Sequence, residues 1–264
     1  MSSQTSVTIP DEVATMMSSY LSLADTRLPG RISGLYLVGS LALDDYRSGQ
    51  SDIDFVTVTD LAFTPSELTQ LGWMHRELRR RRKTPLLDGV YVTWSELRAK
   101  PMGLETPYCH DSWFYPSGFA VNPVTWTTIH RRPISMRGPA TPTIWHDDEA
   151  LRQWCRENLR GYWTDWISDA RNGLWRRLFS CMIEGVIWGV LGVTRLHATI
   201  KTGEIISKSA AGTYALEAFP SRWSLIINDA LRGRLESPEA PRRNVFTRRR
   251  DALAFMEYVI SDAS

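Results

Sequence analysis

The chain has 264 residues, 43% hydrophobic and 23% charged, and a formal net charge of +2. This is the composition of a globular protein, and so small a net charge excludes an overall field that would by itself dictate a nucleic-acid or membrane partner. The length allows one large domain or two ordinary ones, and two is the reading adopted below. Cys109, Cys155 and Cys181 are too few and too scattered for a disulfide framework. The opening MSSQTSVTIP lacks the basic and apolar blocks of a secretory signal, so a cytoplasmic location is expected.

Val13, Met16, Met17, Tyr20, Leu21 and Ala24 recur at helical spacing, and Pro29-Gly30 ends that run. Ile32 to Val38 and Ile53 to Val58 are short and rich in β-formers, which predicts two strands separated by the polar stretch Asp44 to Ser51. Thr64-Pro65-Ser66-Glu67 carries a capping residue, a first-turn proline and a carboxylate that can reach back to the cap, so a helix is expected from there to about Lys83. Gly89 to Trp94 reads as a third strand with Asp88 at its start, Asn122 caps a helix, and a short strand follows at Ile134 to Met136.

The Pro/Thr-rich connector from Gly138 to Thr143 separates this half from one in which every segment has helical periodicity. These segments are Asp148 to Asp169, Leu174 to Thr199, Ser207 to Ala218, Pro220 to Arg234 and Asn244 to Ser261. Leu178 to Thr194 is the longest apolar stretch, but it is short for a membrane span and contains Glu184; it reads as part of a buried helix. The fold class expected is therefore α+β, with an N-terminal α/β domain over 1–143 and a C-terminal α-helical bundle over 144–264.

The stretch LVGSLALDDYRSGQSDIDFVTV, residues 37 to 58, carries the chemistry. Alternate residues of a strand share a face, so Asp52 and Asp54 point one way and Ile53 and Phe55 the other. Two carboxylates so close repel one another, and a half-buried site calls for a cation between them. Oxygen-only ligands at this spacing suit Mg²⁺, which fills its remaining positions with phosphate oxygens and water. Gly39-Ser40 ends the neighbouring strand, where glycine admits close approach of a ligand and the serine amide and hydroxyl can donate to a phosphate. A third acid is expected nearby. Asp88, in LLDGVYVT, is the candidate, as a metal ligand or as the base for an acceptor hydroxyl, with an ordinary Asp-Gly turn as the competing reading.

This ordered set resembles the signature of the nucleotidyltransferase superfamily related to DNA polymerase β. Over most of its length the chain is similar to the aminoglycoside nucleotidyltransferases, in the streptomycin/spectinomycin 3''(9)-adenylyltransferase branch. The likeness is carried by GS…SDID, LLDGVYVT, NPVTWTTIHRRPISMRGP and VLGVTRLHATIKTGEIISKSAAGTYALEAFP. It implies an N-terminal nucleotidyltransferase domain with a mixed sheet, a helical second domain, and ATP with Mg²⁺ held between them. The product would be an O-adenylylated drug and pyrophosphate. Carried over by residue, Gly39 and Ser40 would hold phosphates, Asp52 and Asp54 the metal ions, and Asp88 would be the base where the family has Glu. Arg195 and Lys208 would bind the triphosphate. The partners expected are ATP and a small hydroxylated acceptor, with neither nucleic acid nor membrane.

The acceptor site matches less closely, because a polycationic drug needs acids and Glu184 is the only one in CMIEGVIWGVLGV. Asp165 and Asp169 are further candidates, and Trp113, Trp163, Trp166 and Trp188 could stack on a ring. Two alternatives follow: nucleotidyl transfer to another small molecule, protein or RNA acceptor, and a nucleotide-binding protein that has lost activity. The basic runs Arg79 to Lys83, Arg242-Arg243 and Arg248 to Arg250 read as solvated faces, and His110, His130 and His146 lack metal-ligand spacing.

Overall fold

The computed structural model describes residues 8–81, 84–101, 103–235 and 244–263. Lys83, where the second helix was expected to end, and Arg242-Arg243 lie outside them. The chain divides into two compact units, Met1–Asp147 and Asp148–Ser264.

In the first unit the order is α1 (Asp11–Arg27), β1 (Ile32–Leu37), α2 (Gly39–Ala42), β2 (Ile53–Thr59), α3 (Pro65–Arg81) and β3 (Leu87–Thr93). Then come α4 (Trp94–Leu97), β4 (Glu105–His110), β5 (Trp113–Ala120), α5 (Pro123–Arg131) and β6 (Ile134–Arg137). The six strands form one mixed sheet in the order β5-β4-β3-β2-β1-β6. β2 and β3 are parallel, and the other neighbours are antiparallel. The end of β1, the starts of β2 and β3, and the end of β4 therefore meet along one rim of the sheet.

Alternation along the strands feeds two apolar layers. Leu35, Leu37, Ile53, Phe55, Leu87, Tyr91 and Cys109 join the layer containing residues of α1 and α3, whereas Tyr36, Val56, Val58, Val90 and Val92 face Trp126 and Ile129 of α5. The caps form as their residue types dictate. Thr64 and Glu67 bond reciprocally at the start of α3, and the Asn122 side chain accepts from the Thr125 amide at the start of α5.

The hairpin of β4 and β5 was not anticipated from sequence. Pro107 and Pro116 interrupt its β pattern, and proline removes a ladder donor. The fold accommodates Pro116 on the edge strand β5 and shifts register between Thr106 and Tyr108, around Pro107. The loop is two residues, Asp111 and Ser112, both with positive φ (48° and 63°), the backbone that matches the twist of a tight hairpin.

Beneath the sheet, Tyr20 Oη bonds Thr57 Oγ1 at 2.9 Å and Tyr91 Oη at 3.1 Å, and Tyr91 Oη meets His75 Nε2. His75 Nδ1 lies 3.4 Å from Cys109 Sγ, whose thiol donates to the Leu87 carbonyl at 3.0 Å. Burial is the cause of every large shift here: it pushes the Tyr20, Tyr91 and Cys109 acids up and the His75 imidazole down to about 3.

The second unit is helical, with α6 (Asp148–Asn158), a π turn (Leu159–Trp163), α7 (Thr164–Asn172), α8 (Leu174–Phe179) and α9 (Ile183–Thr202). They are followed by α10 (Lys208–Ala218), a 3₁₀ turn (Ser221–Trp223), α11 (Ser224–Leu235) and α12 (Val245–Asp262). The helix expected over Leu174 to Thr199 is two helices. The chain breaks at Ser180–Met182, where Arg249 donates to Ser180 Oγ and to the Ala170 carbonyl, and Arg248 to the Cys181 carbonyl. These two arginines, read from sequence as a solvated face, instead occupy acceptors at and beside the break. Arg250 pairs with Asp251 on the surface. None of the described helices is long and apolar enough to cross a membrane.

Because the folded-state pKa of His75 lies below its unfolded value of 6.5, the unfolded chain alone takes up the proton as pH falls below 6.5. Stability is unaffected by this group above that pH. It is expected to fall by about 1.4 kcal/mol per pH unit below it, through His75 alone, until the folded state titrates near 3. Long-range ¹H–¹⁵N NMR at pH 5 should show a neutral His75 ring; a ring half-protonated near pH 6.5 would contradict the burial argument.

Candidate active site

The rim described above gathers most of the first unit's predicted residues. β2 pairs with β3 in register Asp54↔Asp88, so the two carboxylates stand side by side on one face of the sheet. On that face the next residues inward, Val56 and Val90, are buried, while Asp54 and Asp88 are only half-buried. Asp52 sits just before β2 and is half-buried. Its charge reaches both Tyr46 and His110.

Gly39, φ 60°, opens α2 directly after β1 rather than a simple bend. A Cβ placed there would overlap the Asp54 carboxylate, with Oδ2, Cγ and Cβ of Asp54 as its nearest atoms. The Val38 amide donates to the Asp54 carbonyl at 2.9 Å, which fixes the two chains at this approach. Ser40 Oγ is buried and has no hydrogen-bond partner among the described residues. Such a group carries a desolvation cost that an incoming acceptor atom would relieve.

Asp88 is held by the β4–β5 turn. The Asp111 amide donates to Asp88 Oδ1 at 2.7 Å, and His110 Nδ1 lies 3.0 Å from Oδ2. Ser112 closes the clasp on the backbone of Leu87: its amide donates to the Leu87 carbonyl, and its hydroxyl accepts from the Leu87 amide, each at 2.9 Å. Burial disfavours charge on the His110 ring, but Asp88, Asp111 and Asp52 outweigh it and hold the imidazole above its ordinary pKa. Asp88, His110 and Asp111 each offer one ligand atom, all within 4.8 Å of one another. Sequence reasoning missed His110 and Asp111, since their approach depends on a turn whose Asp-Ser sequence lacks the usual Asn-Gly or Asp-Gly signal.

Trp113 follows that turn on β5, 55% exposed, with the Arg79 guanidinium 3.2 Å from its ring centroid. In the second unit, Arg195 of α9 donates from Nε to the Ile206 carbonyl at 2.9 Å. Two residues on, Lys208 begins α10, with Nζ 5.8 Å from the Trp188 ring centroid. Glu184 is exposed in the first turn of α9, and Asp165 and Asp169 are exposed on α7. Trp163 and Trp166 are buried at 5% and 2%, which makes them core residues, whereas Trp188 is 41% exposed.

A mixed sheet with acids on adjacent strands beside a glycine-serine approach is an arrangement able to hold a divalent cation against a phosphate. Residues 175–261 match the family described as "Aminoglycoside adenylyltransferase, C-terminal domain". No curated protein sequence matches the chain. Among solved structures it is similar to the spectinomycin adenyltransferase AAD(9) from Enterococcus faecialis, determined with ATP and spectinomycin. The TM-score is 0.66 and the identity 15%, over 95% of this chain and 98% of that one, a likeness of fold. Residues 175–261 thus resemble the C-terminal domain of the aminoglycoside adenylyltransferases, and the chain shares the fold of the spectinomycin enzyme.

Gly39→Ala is expected to cost more stability than Gly49→Ala. Both positions have positive φ, worth about 1–2 kcal/mol each to a side chain, but only at position 39 would the new Cβ meet other atoms. Denaturant titration of the two variants measures the difference; equal losses would mean that Asp54 is not pressed against Gly39.

Proposed function

We propose that the chain catalyses Mg²⁺-dependent transfer of AMP from ATP to a hydroxyl of an aminoglycoside or aminocyclitol of the streptomycin/spectinomycin type, releasing pyrophosphate. The observation that carries this reading is the contact of Asp54 with Gly39, with Asp88 adjacent in register. The unpartnered Ser40 hydroxyl, on the residue after Gly39, fits a phosphate oxygen. Asp52 and Asp54 fit Mg²⁺, whose chemistry when bound is to neutralise phosphate charge and favour the attacking alkoxide.

The chain's own residues do the rest. Gly39 and Ser40 hold the phosphates, and Arg195 and Lys208 are the further triphosphate-binding candidates. Asp88 accepts the proton of the acceptor hydroxyl as its oxygen bonds to the α-phosphorus, and the bond to the leaving pyrophosphate breaks. Glu184, Asp165, Asp169 and Trp113 are the acceptor-binding candidates. The similar enzyme solved with ATP and spectinomycin supports a small-molecule acceptor. The reading has no nucleic-acid or membrane partner and a cytoplasmic setting.

A specific observation favours a second acceptor class under the same chemistry. The Arg79 guanidinium covers Trp113, so at that residue a hydroxylated acceptor with little positive charge would meet less repulsion than a polycation.

The test is incubation with Mg²⁺, each nucleoside triphosphate, and a panel of streptomycin, spectinomycin and neutral hydroxylated antibiotics, read by mass spectrometry for added nucleoside monophosphate. Asp52→Asn and Asp54→Asn should each lower turnover about 100-fold or more. Near-normal turnover in both variants would remove the catalytic reading.

A further inference from the structure

Among the described residues, the side chain of Asp88 has contacts that the proposed chemistry does not yet use. Its two oxygens are each engaged once, Oδ1 by the Asp111 amide at 2.7 Å and Oδ2 by His110 Nδ1 at 3.0 Å. Both groups come from the β4–β5 turn, whose two positive-φ residues bring the Asp111 amide and the Ser112 hydroxyl back onto the start of β3. A carboxylate oxygen can only accept, so Nδ1 of His110 must carry a proton in this contact. The imidazole is 61% exposed while Asp88 is 25% exposed, so a solvent-facing donor meets a better-shielded acceptor.

Chain length makes the arrangement matter. An aspartate has one methylene fewer than a glutamate, so its carboxylate stays close to the strand and its direction is set by what bonds it. With Oδ1 fixed by a backbone amide, rotation about the side chain's last bond is stopped only by a second donor at Oδ2. His110 is that donor. Held this way, each oxygen keeps a lone pair outside the clasp, and the carboxylate cannot swing to follow a shifting acceptor. A displacement of about an ångström at a reacting group can cost up to two orders of magnitude in rate.

We propose that His110 is a positioning residue: its Nδ1–H, with the Asp111 amide, fixes the carboxylate of Asp88 in the orientation from which it takes the acceptor proton. The proposal rests on the reading of Asp88 as the base, and the experiment separates the two. His110→Ala, His110→Asn, Asp88→Ala and the double variant His110→Ala/Asp88→Ala are compared with the unmodified chain, using ATP, Mg²⁺ and whichever panel acceptor gains a nucleotide. Thermal unfolding serves as the control for fold.

His110→Ala should lower kcat about tenfold with the KM for ATP unchanged. His110→Asn, whose amide can donate to the same oxygen, should recover most of that loss. The loss should vanish when Asp88 is already alanine, because a residue acting through another has nothing further to act on. A normal kcat in His110→Ala, or an equal loss in both backgrounds, overturns the positioning role while leaving Asp88 as the base. Near-normal turnover in Asp88→Ala overturns the reading of Asp88 itself, and the positioning role with it. A readout independent of turnover is long-range ¹H–¹⁵N NMR of the free protein. It should show His110 Nδ1 protonated, with that signal changed by Asp88→Ala; a bare Nδ1 overturns the proposal.

Discussion

The carboxylate of Asp54 occupies the space that a side chain at position 39 would need, and the first unit's chemistry depends on that exclusion. Only glycine satisfies both the crowding and the left-handed backbone at this point, so the end of β1 and the start of β2 are locked at a separation no other residue allows. The Val38 amide, bonded to the Asp54 carbonyl, holds the same approach from the backbone. On the opposite face Phe55 repeats the device: a Cβ on Gly89 would stand 2.5 Å from its ring, so β3 can lie beside β2 only with glycine next to Asp88. The two glycines let a row of acids and a packed aromatic core share the same four residues of chain.

The sheet's mixed topology turns this local fit into a site. Antiparallel β1–β2, parallel β2–β3 and antiparallel β3–β4 bring one end of each strand to the same rim, where the covering apolar layer gives way to half-buried polar groups. Behind it the hydrogen-bonded chain Thr57–Tyr20–Tyr91–His75, continued by the weak His75–Cys109 contact, ties β2, α1, β3, α3 and β4 together. Every buried polar group in that chain is satisfied, which is the condition under which such a network stiffens a core rather than weakening it.

The sequence was most informative where local chemistry and fold agree. The alternation that put Asp54 opposite Ile53 and Phe55, the Thr64–Glu67 box and the Asn122 cap are short-range features, and each is visible within a few residues. The β4–β5 hairpin was hidden because its prolines are tolerated only by an edge position and a register shift, neither of which is a local property. His110 and Asp111 were hidden with it. The break at Ser180–Met182 was masked by a continuous apolar pattern, and what satisfies acceptors there, Arg248 and Arg249, lies more than sixty residues away in sequence.

The tight connection between β4 and β5 also restricts how this region can vary by descent. Adding one amino acid to a two-residue loop would exchange the inward and outward faces of whatever follows, carrying Trp113 away from Arg79 and pulling the serine off Leu87. Drift at this corner is therefore confined to swaps among residues at ease in left-handed backbone, and insertions should accumulate in other loops instead.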